Sequence, residues 1–170
     1  MVKINGKALN FAEIVKVYIR NAFFYEAPVI LCVGSDKVAG DSLAPLVGTL
    51  LKELFNTDVF VYGTLKKPVH AGNLKEIYEE IKKNHEGKKV LCIDACLGRA
   101  QDVGFFKFST EGLLPGKSVN KELGAFGDYS ILAIVDEAAF GAGSIFRVRM
   151  GRVWEMASSL SGALAASLIR

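Results

Sequence analysis

Val29-Ile30-Leu31-Cys32-Val33-Gly34-Ser35-Asp36-Lys37-Val38-Ala39-Gly40-Asp41-Ser42-Leu43-Ala44-Pro45 is the passage whose reading decides the fold. Val29 to Val33 is apolar on both faces, the pattern of a strand buried within a parallel sheet, and Gly34 stops it. Leu43 to Phe55 then takes up a helical period that ends near Asn56. Downstream, Val59-Phe60-Val61-Tyr62, closed by Gly63, predicts a second strand. Asn73 to Asn84 predicts a helix with Leu74, Ile77, Tyr78 and Ile81 turned inward and Gly87 as its stop. Val90-Leu91-Cys92-Ile93 is a third apolar strand, ending at Asp94. Gly104 to Thr110 predicts a further strand, Ser130 to Val135 another, and a long helix from about Phe146 to Leu168 closes the chain. Upstream, Phe11, Ile14, Val15, Tyr18 and Ile19 mark an amphipathic helix reaching Asn21, preceded by a mixed N-terminal segment. Strand alternating with helix predicts one α/β domain over residues 1–170, a largely parallel sheet with helices on both faces.

Composition narrows the function classes. With 51% hydrophobic and 23% charged residues, the 170-residue chain is globular and long enough to bury a substantial core. A net charge of +3, scattered along the chain, lacks the concentrated basic face that nucleic acid needs. The densest basic cluster, Lys82-Lys83 with Lys88-Lys89, flanks a turn and reads as solvated surface. No apolar leader follows Met1, and the C-terminal apolar stretch from Val153 carries Glu155, Ser158, Ser159, Ser161 and Ser167, too polar for a membrane span. Three cysteines without framework spacing fit a reducing, cytoplasmic setting. Cys32 and Cys92 sit in apolar runs as small hydrophobes, and Cys92 and Cys96 lack the partners of a zinc site.

Ligands of open α/β sheets bind beyond the carboxyl ends of the strands. Four loops qualify: Gly34–Asp41, Gly63–Gly72, Asp94–Gly104 and Asp136–Gly141. The first has neither the Gly-Lys-Ser/Thr of a phosphate loop nor a dinucleotide Gly-x-Gly-x-x-Gly. Asp41 either caps the following helix or, if Ser42 is the cap, lies just outside it and faces the cleft. Pro45 would then fall at the third helical position, where its missing N–H costs nothing. Asp94 either accepts loop amides or projects into the crevice. If the first and third strands are neighbours, Asp41 and Asp94 meet. Two adjacent carboxyls share a proton, and such a dyad can activate water with one member and protonate a carbonyl with the other. The same pair would alternatively hold a divalent metal. His70 and Asn73 in the second loop, Asp36 in the first, and Lys121 in a glycine-rich region are candidate substrate contacts. No Gly-x-Ser-x-Gly elbow supports a serine mechanism.

These residues carry a resemblance. Cys32 to Asp36 with Gly40 to Pro45, Tyr62-Gly63-Thr64-Leu65 with Pro68-Val69-His70-Ala71, Ile93 to Arg99, and Pro115-Gly116 to Gly127-Asp128 together resemble the YyaC-type sporulation protein family, related to the spore germination protease. The resemblance implies a three-layer αβα sandwich, phosphorylase/hydrolase-like, similar to hydrogenase maturation proteases. It also implies a catalytic role for the aspartates at Asp41 and Asp94, and a peptidase of spore formation or germination. The expected partner is a protein or peptide substrate, with small acid-soluble spore proteins as candidates; no cofactor, metal, nucleic acid or membrane is expected, and homo-oligomerisation stays open. The location it implies is the cytoplasm of a developing spore or sporulating cell. Ala44 stands where the motif usually has glycine, and Gly124 where proline is common. The maturation proteases grip nickel with a late histidine, and none follows His85 here. A non-catalytic peptide- or partner-binding protein is the alternative on the same fold.

Overall fold

The structure, a computed structural model, describes residues 1–24, 26–55, 57–114 and 124–168. Six strands form one sheet: β1 (Val2–Asn5), β2 (Val29–Cys32), β3 (Val61–Tyr62), β4 (Val90–Gly98), β5 (Phe105–Ser109) and β6 (Tyr129–Glu137). Their spatial order is β1-β5-β6-β4-β2-β3. β3, β2, β4 and β6 pair in parallel, whereas β5 runs against both β6 and β1. The helices are α1 (Phe11–Ala22), α2 (Leu43–Thr49), α3 (Leu74–Asn84) and α4 (Met150–Leu168).

Side chains alternate across a strand, so each buried strand feeds two cores. Ile30 and Cys32 of β2 join Leu91 and Ile93 of β4 and Ile131 and Ala133 of β6 on the face covered by α1, α2 and α4. Val29 and Leu31 join Val90 and Cys92 on the other face, under Leu74 and Ile81 of α3 and the bridge between Leu113 and Phe126. The result is the expected α/β architecture, helices on both faces of a mixed, largely parallel sheet, consistent with a three-layer sandwich. α1 buries Phe11, Val15, Ile19 and Ala22, one stripe at helical spacing, with Glu13 in its first turn and Arg20 in its last, as the helix dipole favours.

Four elements depart from the sequence reading. β1 has only Ile4 buried, so an edge strand of this length carries no periodic signal. β4 does not end at Asp94: Ala95 to Gly98 continue to pair with β6 as far as Glu137. Their small side chains read as a loop, but a Cβ on Gly98 would lie 2.7 Å from Ile134 Cγ2, so the smallness serves close packing. α4 starts at Met150, because Ala142–Arg147 turn as a 3₁₀ helix and Val148 is extended with its side chain buried. The basic cluster is engaged and not merely solvated. Lys88 pairs with Glu26, Lys89 donates to the Ala22 carbonyl and lies over the Tyr129 ring, and Lys82 lies over Tyr78.

Candidate active site

β2 and β4 are neighbours in parallel register, with Cys32 opposite Ile93. Asp94 is therefore the first β4 residue beyond the end of β2, although it lies within β4 itself. At that point β2 hands over to a loop that folds back across it. Val33 bridges Val69, and the Gly34 amide donates to the Val69 carbonyl at 2.7 Å, which holds the His70 loop beside the Asp41 loop. Gly34 has φ of +151°, and a Cβ there would sit 2.1 Å from the Asp41 carbonyl oxygen. Only a residue without a side chain lets the Asp41 peptide settle over the strand end. Asp41 sits in a 3₁₀ turn, Gly40–Ser42, and neither that turn nor α2 has a side-chain cap. Ser42 occupies the cap position of α2, but its hydroxyl donates to the Ala39 carbonyl at 2.8 Å. Asp41 is thus not spent on capping.

The two carboxyls are partly exposed and electrostatically coupled. Burial raises both above the ordinary aspartate range. Asp94 is pushed up to about 8, chiefly by desolvation, with the negative charge of Asp41 adding to the rise and the Ala95 amide, donating to Asp94 Oδ1 at 2.7 Å, opposing it. The rise of Asp41 is opposed by the Ser35 amide and by the nearby His70. The repulsion falls on Asp94 because the more deeply desolvated acid keeps its proton longest. Asp41 ionises beside a neutral partner, and Asp94 must then ionise beside a charge. Asp94, pushed up to about 8, is the member that keeps its proton at neutral pH.

The remaining candidates divide. His70 is exposed, and its Nδ1 accepts the Gly72 amide at 3.2 Å, which leaves the neutral ring's proton on Nε2. Asn73 braces the loop: its Oδ1 accepts the His70 amide and its Nδ2 donates to the Pro68 carbonyl. Asp36 is exposed at the turn, and no bond among the described residues ties it to the pair. Lys121 lies outside the described residues. Cys32 and Cys92 are buried, with thiols raised by desolvation, that of Cys92 to about 12. Among the described residues no three His, Cys, Asp or Glu side chains group as a metal site, and no helix is long and apolar enough to cross a membrane.

Residues 2–163, which include every part of this constellation, match the family described as a protein of unknown function, DUF1256. The chain belongs to the DUF1256 family. It is similar to the uncharacterized protein YyaC of Bacillus subtilis (strain 168), 41% identical over 138 residues, which cover 81% of this chain and 67% of the relative. No solved structure matches it. In this DUF1256 member the feature that reading the sequence alone overlooked is the space Gly34 provides. Its signal was a glycine directly after a buried strand, read there only as a stop.

Proposed function

We propose that the chain is a peptidase-like hydrolase in which Asp41 and Asp94 act as a base–acid pair on a peptide bond. One observation carries the reading: Asp41, on its 3₁₀ turn, and Asp94, on β4, lie within electrostatic reach at the β2–β4 edge, and Asp94, pushed up to about 8, is the member that keeps a proton at neutral pH. That is the division of labour such a hydrolysis requires. Asp41 takes a proton from water as the water oxygen bonds to the scissile carbonyl carbon, while the Asp94 proton passes to the carbonyl oxygen. The resulting gem-diol collapses as Asp41 returns its proton to the leaving nitrogen and Asp94 recovers one from a hydroxyl, so the pair ends as it began. His70, with Nε2–H outward, is placed to hold a substrate carbonyl. The resemblance to the germination protease supports small acid-soluble spore proteins as substrates and a role in the developing or germinating spore.

The test is incubation of purified chain with small acid-soluble spore proteins, with fragments read by mass spectrometry. Wild type is expected to cut, and Asp41→Asn or Asp94→Asn to lose roughly a hundredfold or more of the rate. Binding of those proteins without cleavage at any pH from 5 to 8 would replace the peptidase with a non-catalytic binding protein.

A further inference from the structure

On the same carboxyl edge, at the end of β6, the described residues line a hollow of about 200 Å³ with Asp136, Phe140, Arg147, Arg149 and Arg152. Three guanidinium groups line this hollow with one carboxylate, Asp136, which lies 3.7 Å from Arg152 Nη1, while Glu155 lies within electrostatic reach of Arg152 on the adjoining side. The same Nη1 donates to the Val135 carbonyl at 3.1 Å, and the Arg147 guanidinium lies 5.4 Å above the Phe140 ring. Two arginines are thus held in place before any ligand arrives. Among the described residues Arg149 shares these walls with Asp136 and Glu155 but forms no ion pair with either. It also precedes Met150, the first residue of α4, where the helix dipole already concentrates positive charge and a cation is disfavoured. The hollow thus gathers more positive than negative side chains. Arg149 and Arg152 also form the wall of a second, larger cavity of about 720 Å³, bordered by Asn5, Lys7, Glu155 and Ser159. Its volume lies in the range that encloses small organic ligands, and its lining sets these polar groups around a larger apolar surface that includes Val103 and Met156.

The geometry points to a phosphate site: the arginine hollow binds a phosphate group, and the adjoining cavity takes the organic body of a small phosphomonoester. The hollow has room for a tetrahedral anion with its hydration water, and guanidinium groups recognise such oxygens in paired hydrogen bonds. This site is separate from Asp41 and Asp94, although the Ala142–Arg147 turn that carries Arg147 also packs on Gly40.

Calorimetric titration of the whole chain at fixed ionic strength tests it, using ribose 5-phosphate, ribose and inorganic phosphate as probes. Ribose 5-phosphate is expected to bind at least tenfold tighter than ribose. The double variant Arg147→Ala/Arg149→Ala is expected to lose at least tenfold of that affinity while the ligand-free protein melts no lower than wild type. Lys7→Ala separates the sources: weaker ester with unchanged inorganic phosphate supports an organic ligand, and equal binding of both phosphates throughout supports the free ion. Equal affinity for ribose and its phosphate, with no inorganic phosphate bound, would overturn the proposal. So would a double variant that binds as wild type does.

Discussion

Asp94 makes folding stability depend on pH in a direction opposite to most carboxylates. Its proton is released near pH 3.8 in the unfolded chain and near pH 8 in the folded one. Between those values the native state binds the extra proton, so stability is greatest below about pH 4 from this group and falls as pH rises towards 8. Each tenfold difference in proton affinity is worth about 1.4 kcal/mol, and partial exposure reduces the sum to roughly 3 kcal/mol by pH 8. Asp94→Asn keeps an acceptor for the Ala95 amide and has no charge to bury. It is expected to be stabilised at pH 8 and nearly neutral at pH 4, as read by urea denaturation at both values. A variant that loses stability equally at both would show a structural hydrogen-bonding role instead. Catalysis, if carried by the pair, fails above about pH 8 for the same reason, seen as the alkaline limb of a kcat/KM profile. The approach of Asp41 to Asp94 was legible in the sequence because the apolar runs Val29–Val33 and Val90–Ile93 that precede them read as strands that could be neighbours. Which of them keeps the proton was not, since that depends on how deeply each is desolvated. His85 shows the same limit. It reads as a helix-end surface residue, yet its ring lies 4.1 Å from that of Phe60 and its Nε2 is 3.0 Å from the Tyr62 hydroxyl.

Elements meet at this site through backbone contacts that tolerate no side chain. Gly63 ends β3 with φ of +84°, and a Cβ there would lie 1.8 Å from the Cys32 carbonyl oxygen at the end of β2. Gly63→Ala therefore combines a disfavoured conformation with a backbone clash, and about 2 kcal/mol or more of stability is expected to be lost in thermal or urea unfolding. Gly87→Ala is the control. It also has positive φ, but open space surrounds it, so only the conformational part, about 1 kcal/mol, should go. Equal losses would mean that the close approach of β2 and β3 is unimportant. The strands and helices that carry continuous apolar runs or a clean helical stripe were readable from sequence with small boundary errors. β1 was not, and neither was the second half of β4. Both depend on a partner strand distant in sequence, and pairing energy leaves no local mark in residues that are short, exposed or small.

Across the whole molecule the two cores are unequal, and the larger one, beneath α1, α2 and α4, sets global stability. Leu160 is fully buried there, and Leu160→Ala is expected to cost about 2–5 kcal/mol, measured as a drop in the urea midpoint. A loss under 1 kcal/mol would mean that α4 is not integral to the core. The α/β class and the pairing of the first and third long strands were legible, because parallel strands joined through helices leave few allowed topologies. The antiparallel turn-back of β5 was not, for nothing in Phe105–Ser109 specifies direction. That turn-back also governs biosynthesis. Val2 pairs with Phe108, and α1 packs on α4, so neither the first strand nor the first helix has its partner until most of the chain has left the ribosome. At elongation speeds of about 5–20 residues per second, roughly a hundred residues take about 5–20 s to emerge. For that interval the apolar stripe of Phe11, Val15 and Ile19 is uncovered, so the nascent N-terminal segment is open to aggregation until α4 has been made.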